Sequence, residues 1–89
     1  MDAERKAAAV QFGRNLRCYR NRAGLSQEKL GFLTSLHRTE ISLLERGRRE
    51  PRLGTIVKLV SALEVSFSML FEGPDWELDE SPTGNGESG

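Results

Sequence analysis

Eighty-nine residues, 37% of them hydrophobic, can build one small core, but not a core that also encloses an active-site cleft and its supporting shell. The net charge of zero hides a segregation: residues 1–73 hold all thirteen Lys and Arg against eight acids, whereas residues 74–89 hold five acids and no base. A body of +5 suits a polyanionic partner, and an acidic tail of −5 suits solubility or weak masking of the basic face.

No apolar run is long enough to cross a bilayer, and the start Met-Asp-Ala-Glu-Arg-Lys does not lead into an apolar signal segment. No membrane association is expected, and the cytoplasm is the expected location. The single Cys18 has no internal disulfide partner and no companions for a zinc site, so burial in or beside the core is expected. His37 is the only histidine, which leaves metal binding and His-dependent catalysis without partners. No metal, cofactor or catalytic set is therefore expected, and the chain reads as a non-enzyme.

A first helix is predicted from within the first eight residues to about Arg22, with Phe12, Leu16 and Tyr19 as its buried stripe. Gly24 supplies a left-handed cap position, and Ser26 is a good N-cap for a second helix over Gln27–Leu33. Thr34-Ser35-Leu36 reads as a turn, after which a third helix begins near His37 and stops at Gly47. Arg48-Arg-Glu-Pro51 is a basic loop, and Pro51 blocks continuation of the helix. A fourth helix spans roughly Leu53–Leu63, with Leu53, Ile56, Val60 and Leu63 on one face, and Ser66 caps a short fifth helix, Phe67–Phe71. From Gly73 onward the composition predicts disorder. The expectation is an all-α five-helix domain over residues 1–73 and an acidic disordered tail over 74–89.

Within this pattern, residues 27–46 form two short helices joined by a tight turn. Leu30, Leu33, Leu36, Ile41 and Leu44 are predicted to point inward, leaving a polar face around His37, Arg38, Thr39 and Ser42. Gly31 falls where the two helices must pass closely. That arrangement is a helix-turn-helix, whose second helix is shaped to enter a DNA major groove.

With these residues in place, the chain resembles the Cro/phage-repressor type, or Xre, helix-turn-helix family. The resemblance covers about Phe12–Phe71 and rests on Leu16-Arg17, Arg20, Gly24-Leu-Ser-Gln-Glu28, Leu30, Ile41-Ser42, Glu45-Arg-Gly-Arg48, Pro51 and Ala62-Leu-Glu-Val-Ser66. Leu36-His-Arg-Thr39, followed by Ile41-Ser42 and Glu45-Arg-Gly47, is most similar to the controller proteins of restriction–modification systems. The resemblance implies a homodimer on a palindromic operator in double-stranded DNA, acting as a transcriptional regulator. It further implies that Gln27 holds a backbone phosphate, that Arg46 and Arg48 clasp the flanking backbone, and that Arg20 and Glu45 form a partly buried salt bridge.

Four positions depart from the family pattern. Ser35 replaces the usual turn Gly; Glu40 stands where controller proteins usually carry Tyr; Arg52 replaces a Ser or Thr cap; and Phe32 brings an aromatic to a usually polar position. An acid facing DNA repels phosphate unless it accepts a hydrogen bond from cytosine.

Arg38 is the best candidate for base reading, because a guanidinium donates two parallel hydrogen bonds to guanine O6 and N7; its alternative is a phosphate clamp. Thr39 suits a thymine methyl or a phosphate, Leu43 suits thymine methyls or is an incidental surface Leu, and Ser42 lies one turn beyond Arg38. His37 is expected to contact phosphate or cap its helix. Arg46, Arg48, Arg49 and Arg52 cluster around the following loop as phosphate contacts or a solvated basic loop. Phe67, Met69, Leu70 and Phe71 exceed what a five-residue helix can bury alone. A dimer seam built from Phe67, Leu70, Phe71 and Trp76 is expected, the alternative being that Trp76 and Leu78 fold back over them. The rival functional class is an antitoxin-like or adaptor module that also binds DNA.

Overall fold

Five α-helices make up the fold: α1 Ala3–Arg22, α2 Gln27–Thr34, α3 Arg38–Glu45, α4 Leu53–Leu63 and α5 Phe67–Phe71. They come from a computed structural model that describes residues 2–73, among which there is no strand. The expectations for Trp76, Leu78 and the acidic tail fall on residues 74–89 and lie outside those described. Among the described residues, no helix is long and apolar enough to cross a membrane.

Local chemistry sets the helix starts. The side chains of Asp2, Ser26 and Ser66 accept from the backbone N–H of Arg5, Lys29 and Met69, satisfying donors that the first turn of a helix leaves unpaired. Arg52 precedes α4 without a side-chain cap, as its replacement of a hydroxyl residue suggests. α1 stops at Gly24, whose φ of +73° gives the left-handed turn after Ala23. α2 runs one residue further than its pattern indicated and ends at Ser35, which adopts φ 61° and ψ 27°. A side chain in that conformation costs roughly 1–2 kcal/mol, and the turn keeps it because Leu36 N–H closes back on Gly31 O at 2.9 Å.

The core gathers one or more residues from every helix: Phe12 and Leu16 of α1, Leu30 of α2, Ile41 and Leu44 of α3, Ile56, Leu59 and Leu63 of α4, and Leu70 of α5. Asn15 fastens α5 to α1 by donating from Nδ2 to Leu70 O at 2.9 Å and Glu72 O at 2.7 Å. Arg5 pairs with Glu50 at 2.7 Å, linking the start of α1 to the loop before Pro51, and this contact holds the Glu50 carboxyl below its ordinary range.

Four sequence expectations are corrected. Leu33 is 49% exposed rather than inward, because it lies on the face of α2 turned away from α3. Leu53 is exposed, and Leu59 takes its place in the core, since the buried stripe of α4 runs through Ile56, Leu59 and Leu63. Cys18 is exposed, being on the opposite side of α1 from Leu16. Leu70 is wholly buried within this chain, so it has no surface left to give to a dimer seam.

Two glycines let the helices touch. A Cβ on Gly31 would stand 2.5 Å from Leu36 O, which is the close passage expected inside the helix-turn-helix. Gly13 does the same between α1 and α3: its Cβ would stand 2.3 Å from Leu44 O and 2.6 Å from Glu45 O. Both obstacles are backbone, so no rotamer change relieves them. Gly13→Ala is therefore expected to destabilise by about 2 kcal/mol or more, overpacking outweighing the ~1 kcal/mol that Ala gains in helix propensity. Urea denaturation measures this, and an unchanged midpoint would mean that α1 and α3 lie further apart in solution.

Candidate nucleic-acid interface

α3 is the second helix of the motif and turns Ile41, Leu44 and Glu45 inward. Arg38 and Thr39 are exposed, while Ser42 and Leu43 are half-buried on the flank and outer side of the same helix. His37 forms the N-cap, its Nδ1 accepting from Thr39 N–H at 3.0 Å. The cap fixes where the helix begins and so sets the direction in which Arg38 and Thr39 project. Phe32, 77% exposed with the Lys29 ammonium 5.6 Å from its ring centroid, borders a depression shared with His37 and Arg38.

What holds α3 in place is a buried ionic network. Arg20 of α1 donates from Nε to Glu45 Oε2 at 2.5 Å and from Nη2 to Glu45 Oε1 at 3.1 Å. Its Nη1 donates to Leu25 O at 2.8 Å. Planar guanidinium meets planar carboxylate through two parallel bonds, the strong form of this pairing. The bond to Glu45 raises the Arg20 pKa above its ordinary value. Gln27 joins the network by donating to Glu45 Oε1 at 3.0 Å, and Arg17 approaches the same oxygen at 3.6 Å from the surface. The side chain expected to hold a phosphate is thus engaged inside the protein through one amide donor.

The arginines after α3 differ from one another. Arg46 is exposed, and its Nε donates to Ser42 O at 3.4 Å, which keeps its stem along the helix. Arg48 and Arg52 are exposed with no acidic partner among the described residues. Arg49 instead forms an ion pair with Glu40, which sequence reasoning had read only as an acid facing DNA. No spacing rule signals a contact nine residues apart across a turn. Among the described residues no group of three His, Cys, Asp or Glu is placed to hold a metal ion.

An exposed helix face carrying Arg38 and Thr39, flanked by arginines and anchored from behind by a buried ion pair, is the arrangement of a DNA-binding helix-turn-helix protein. Residues 11–69 match the model of the helix-turn-helix domain, and the chain belongs to that family. It is similar to control protein C.SmaI of Serratia marcescens, 45% identical over 56 residues that cover 63% of this chain and 67% of that one. Control protein C.BamHI of Bacillus amyloliquefaciens is 47% identical over 55 residues, 61% of this chain and 68% of that one. Among solved structures, the restriction-modification controller protein C.AhdI of Aeromonas hydrophila superposes with a TM-score of 0.70 at 45% identity, covering 73% of this chain and 98% of that one. The protein is a DNA-binding transcriptional regulator of the controller-protein type.

Proposed function

We propose that the protein works in the cytoplasm as a homodimer on a palindromic operator, each subunit placing α3 in the major groove of one half-site. Residues 1–73 are the DNA-binding and dimerising domain, and the acidic residues 74–89 temper its positive charge. Arg38 reads guanine, with Thr39, Ser42 and Leu43 contacting neighbouring bases. Arg46, Arg48 and Arg52 bind the flanking phosphates and fix register, helped by His37 and by the second amide hydrogen of Gln27, while Arg49 stays paired with Glu40. Bound near a promoter, the dimer blocks polymerase or recruits it, and operator position decides which. By likeness to the controller proteins, the genes it governs are those of a restriction–modification system. The observation that carries this reading is the exposed Arg38–Thr39 face beside Arg48 and Arg52, which have no acidic partner among the described residues.

Selection of bound sequences from random duplexes tests it, a two-fold symmetric motif being the expected product. Arg38→Ala should lose about 1–3 kcal/mol and relax the preference at one base pair per half-site. Arg48→Ala should weaken binding to all sequences alike and reduce the salt slope by about one. An unchanged motif with Arg38→Ala assigns the reading residue elsewhere.

A further inference from the structure

Glu40 is an acid in the first turn of the helix proposed to face a polyanion, and its surroundings explain how it is tolerated there. Its side chain is 23% exposed, and Oε1 accepts from Nη1 of Arg49, whose own side chain is half-exposed. Glu40 Oε2 receives no hydrogen bond among the described residues, so one acceptor is satisfied and the other is open. The pair borders a depression of about 480 Å³ that it shares with Glu50, Arg52 and Thr55. On α3, Glu40 lies next to Thr39 and one turn before Leu43, at the edge of the outward face.

Two consequences follow from the charges. Arg49 cannot neutralise a DNA phosphate while it neutralises Glu40, so the pair removes one cation from sequence-independent binding. The open carboxylate oxygen is an acceptor only. In the major groove, cytosine offers the N4 amino donor, whereas guanine presents O6 and N7 acceptors that an acid repels.

Resting on the regulator reading above, we propose that Glu40 is a specificity-determining residue. Held and neutralised by Arg49, it accepts from the N4 amino group of a cytosine in each half-site and lowers affinity for every duplex that lacks it. Glu40 exchanges general affinity for discrimination, and Arg49 is its positioning residue.

Sequence selection and salt-dependent binding with the full-length protein decide the matter. Wild type should select cytosine at one position per half-site by about tenfold. Glu40→Ala should flatten that position while raising affinity for random duplex and steepening the salt slope by about one, as Arg49 is released to a phosphate. Glu40→Gln, which keeps the side chain's size, should shift the same position toward adenine, whose N6 and N7 it can bond. A purely structural pair would not produce that shift. A wild-type motif left unchanged in both variants overturns the inference alone; a wild-type protein that selects no motif overturns the regulator reading and this inference with it.

Discussion

Glu45→Gln should melt well below the parent protein while leaving its base preference intact at temperatures where it remains folded. The Glu45 side chain is 1% exposed and that of Arg20 10%, so neither charge can turn to water when the other is removed. Breaking a buried pair on one side costs on the order of 3–5 kcal/mol, with the lower end fitting an arginine that retains some solvent and the Leu25 carbonyl. In a domain of this size each 1 kcal/mol moves the midpoint by roughly 4–8 °C, so a fall of at least about 10 °C is expected by circular dichroism. Gln preserves the volume but replaces one of the two carboxylate acceptors with an NH2 donor, leaving either Arg20 Nε or the donors of Arg20 Nη2 and Gln27 without their acceptor. Arg17→Ala is the internal control. At 3.6 Å and 64% exposed, Arg17 should contribute within the 0–1 kcal/mol of a surface pair. A Glu45→Gln protein as stable as its parent would refute the role assigned to the pair.

The network also marks where sequence reasoning reached and where it stopped. Helix boundaries were legible because each depends on local chemistry: Ser26 and Ser66 as caps, Gly24 as a stop, and α4 and α5 with the bounds the apolar spacing predicted. The Arg20–Glu45 relation was legible only through family resemblance, since 25 residues separate the partners and no periodicity links them. The roles of Gly13 and of Glu40 with Arg49 were hidden for the same reason, being set by how helices and loops meet. A glycine inside α1 between Phe12 and Leu16 was nevertheless a usable signal, because nothing local favours glycine at a helix interior. Leu33 and Leu53 were misplaced by a different route. An apolar residue near the edge of a stripe satisfies the helical spacing whether or not a neighbour covers it, and these two stay in water.

That exposed apolar surface bears on assembly. Phe67→Asp should give a folded monomer that binds its operator about 10²–10⁴-fold more weakly, because linking two half-site contacts in one particle supplies that factor. The substitution suits the isolated chain. Phe67 is 42% exposed, and it is the first residue of α5, where an acid is favoured by the helix dipole. Leu70 cannot serve the same test. It is fully buried, and cutting it to Ala should cost about 2–5 kcal/mol by opening the core, a loss of fold rather than of assembly. Phe71 is intermediate, half-buried with its ring 5.4 Å from that of Phe12. A two-fold seam centred on Phe67 and flanked by Phe71 would set the same residues of both subunits against each other, as such symmetry requires. Pairing would also answer a physical need, because a single eight-residue helix laid in a groove reaches too few base pairs for selectivity. Two such helices must meet the duplex about 34 Å apart, one helical turn, to read both halves of a palindrome from one side. Sedimentation of Phe67→Asp separates the possibilities: a monomer with normal melting places the seam at α5. A dimer that persists moves it to another exposed apolar site, Phe32 or the Leu53–Val57 face of α4, and the operator spacing must then be derived again from that axis.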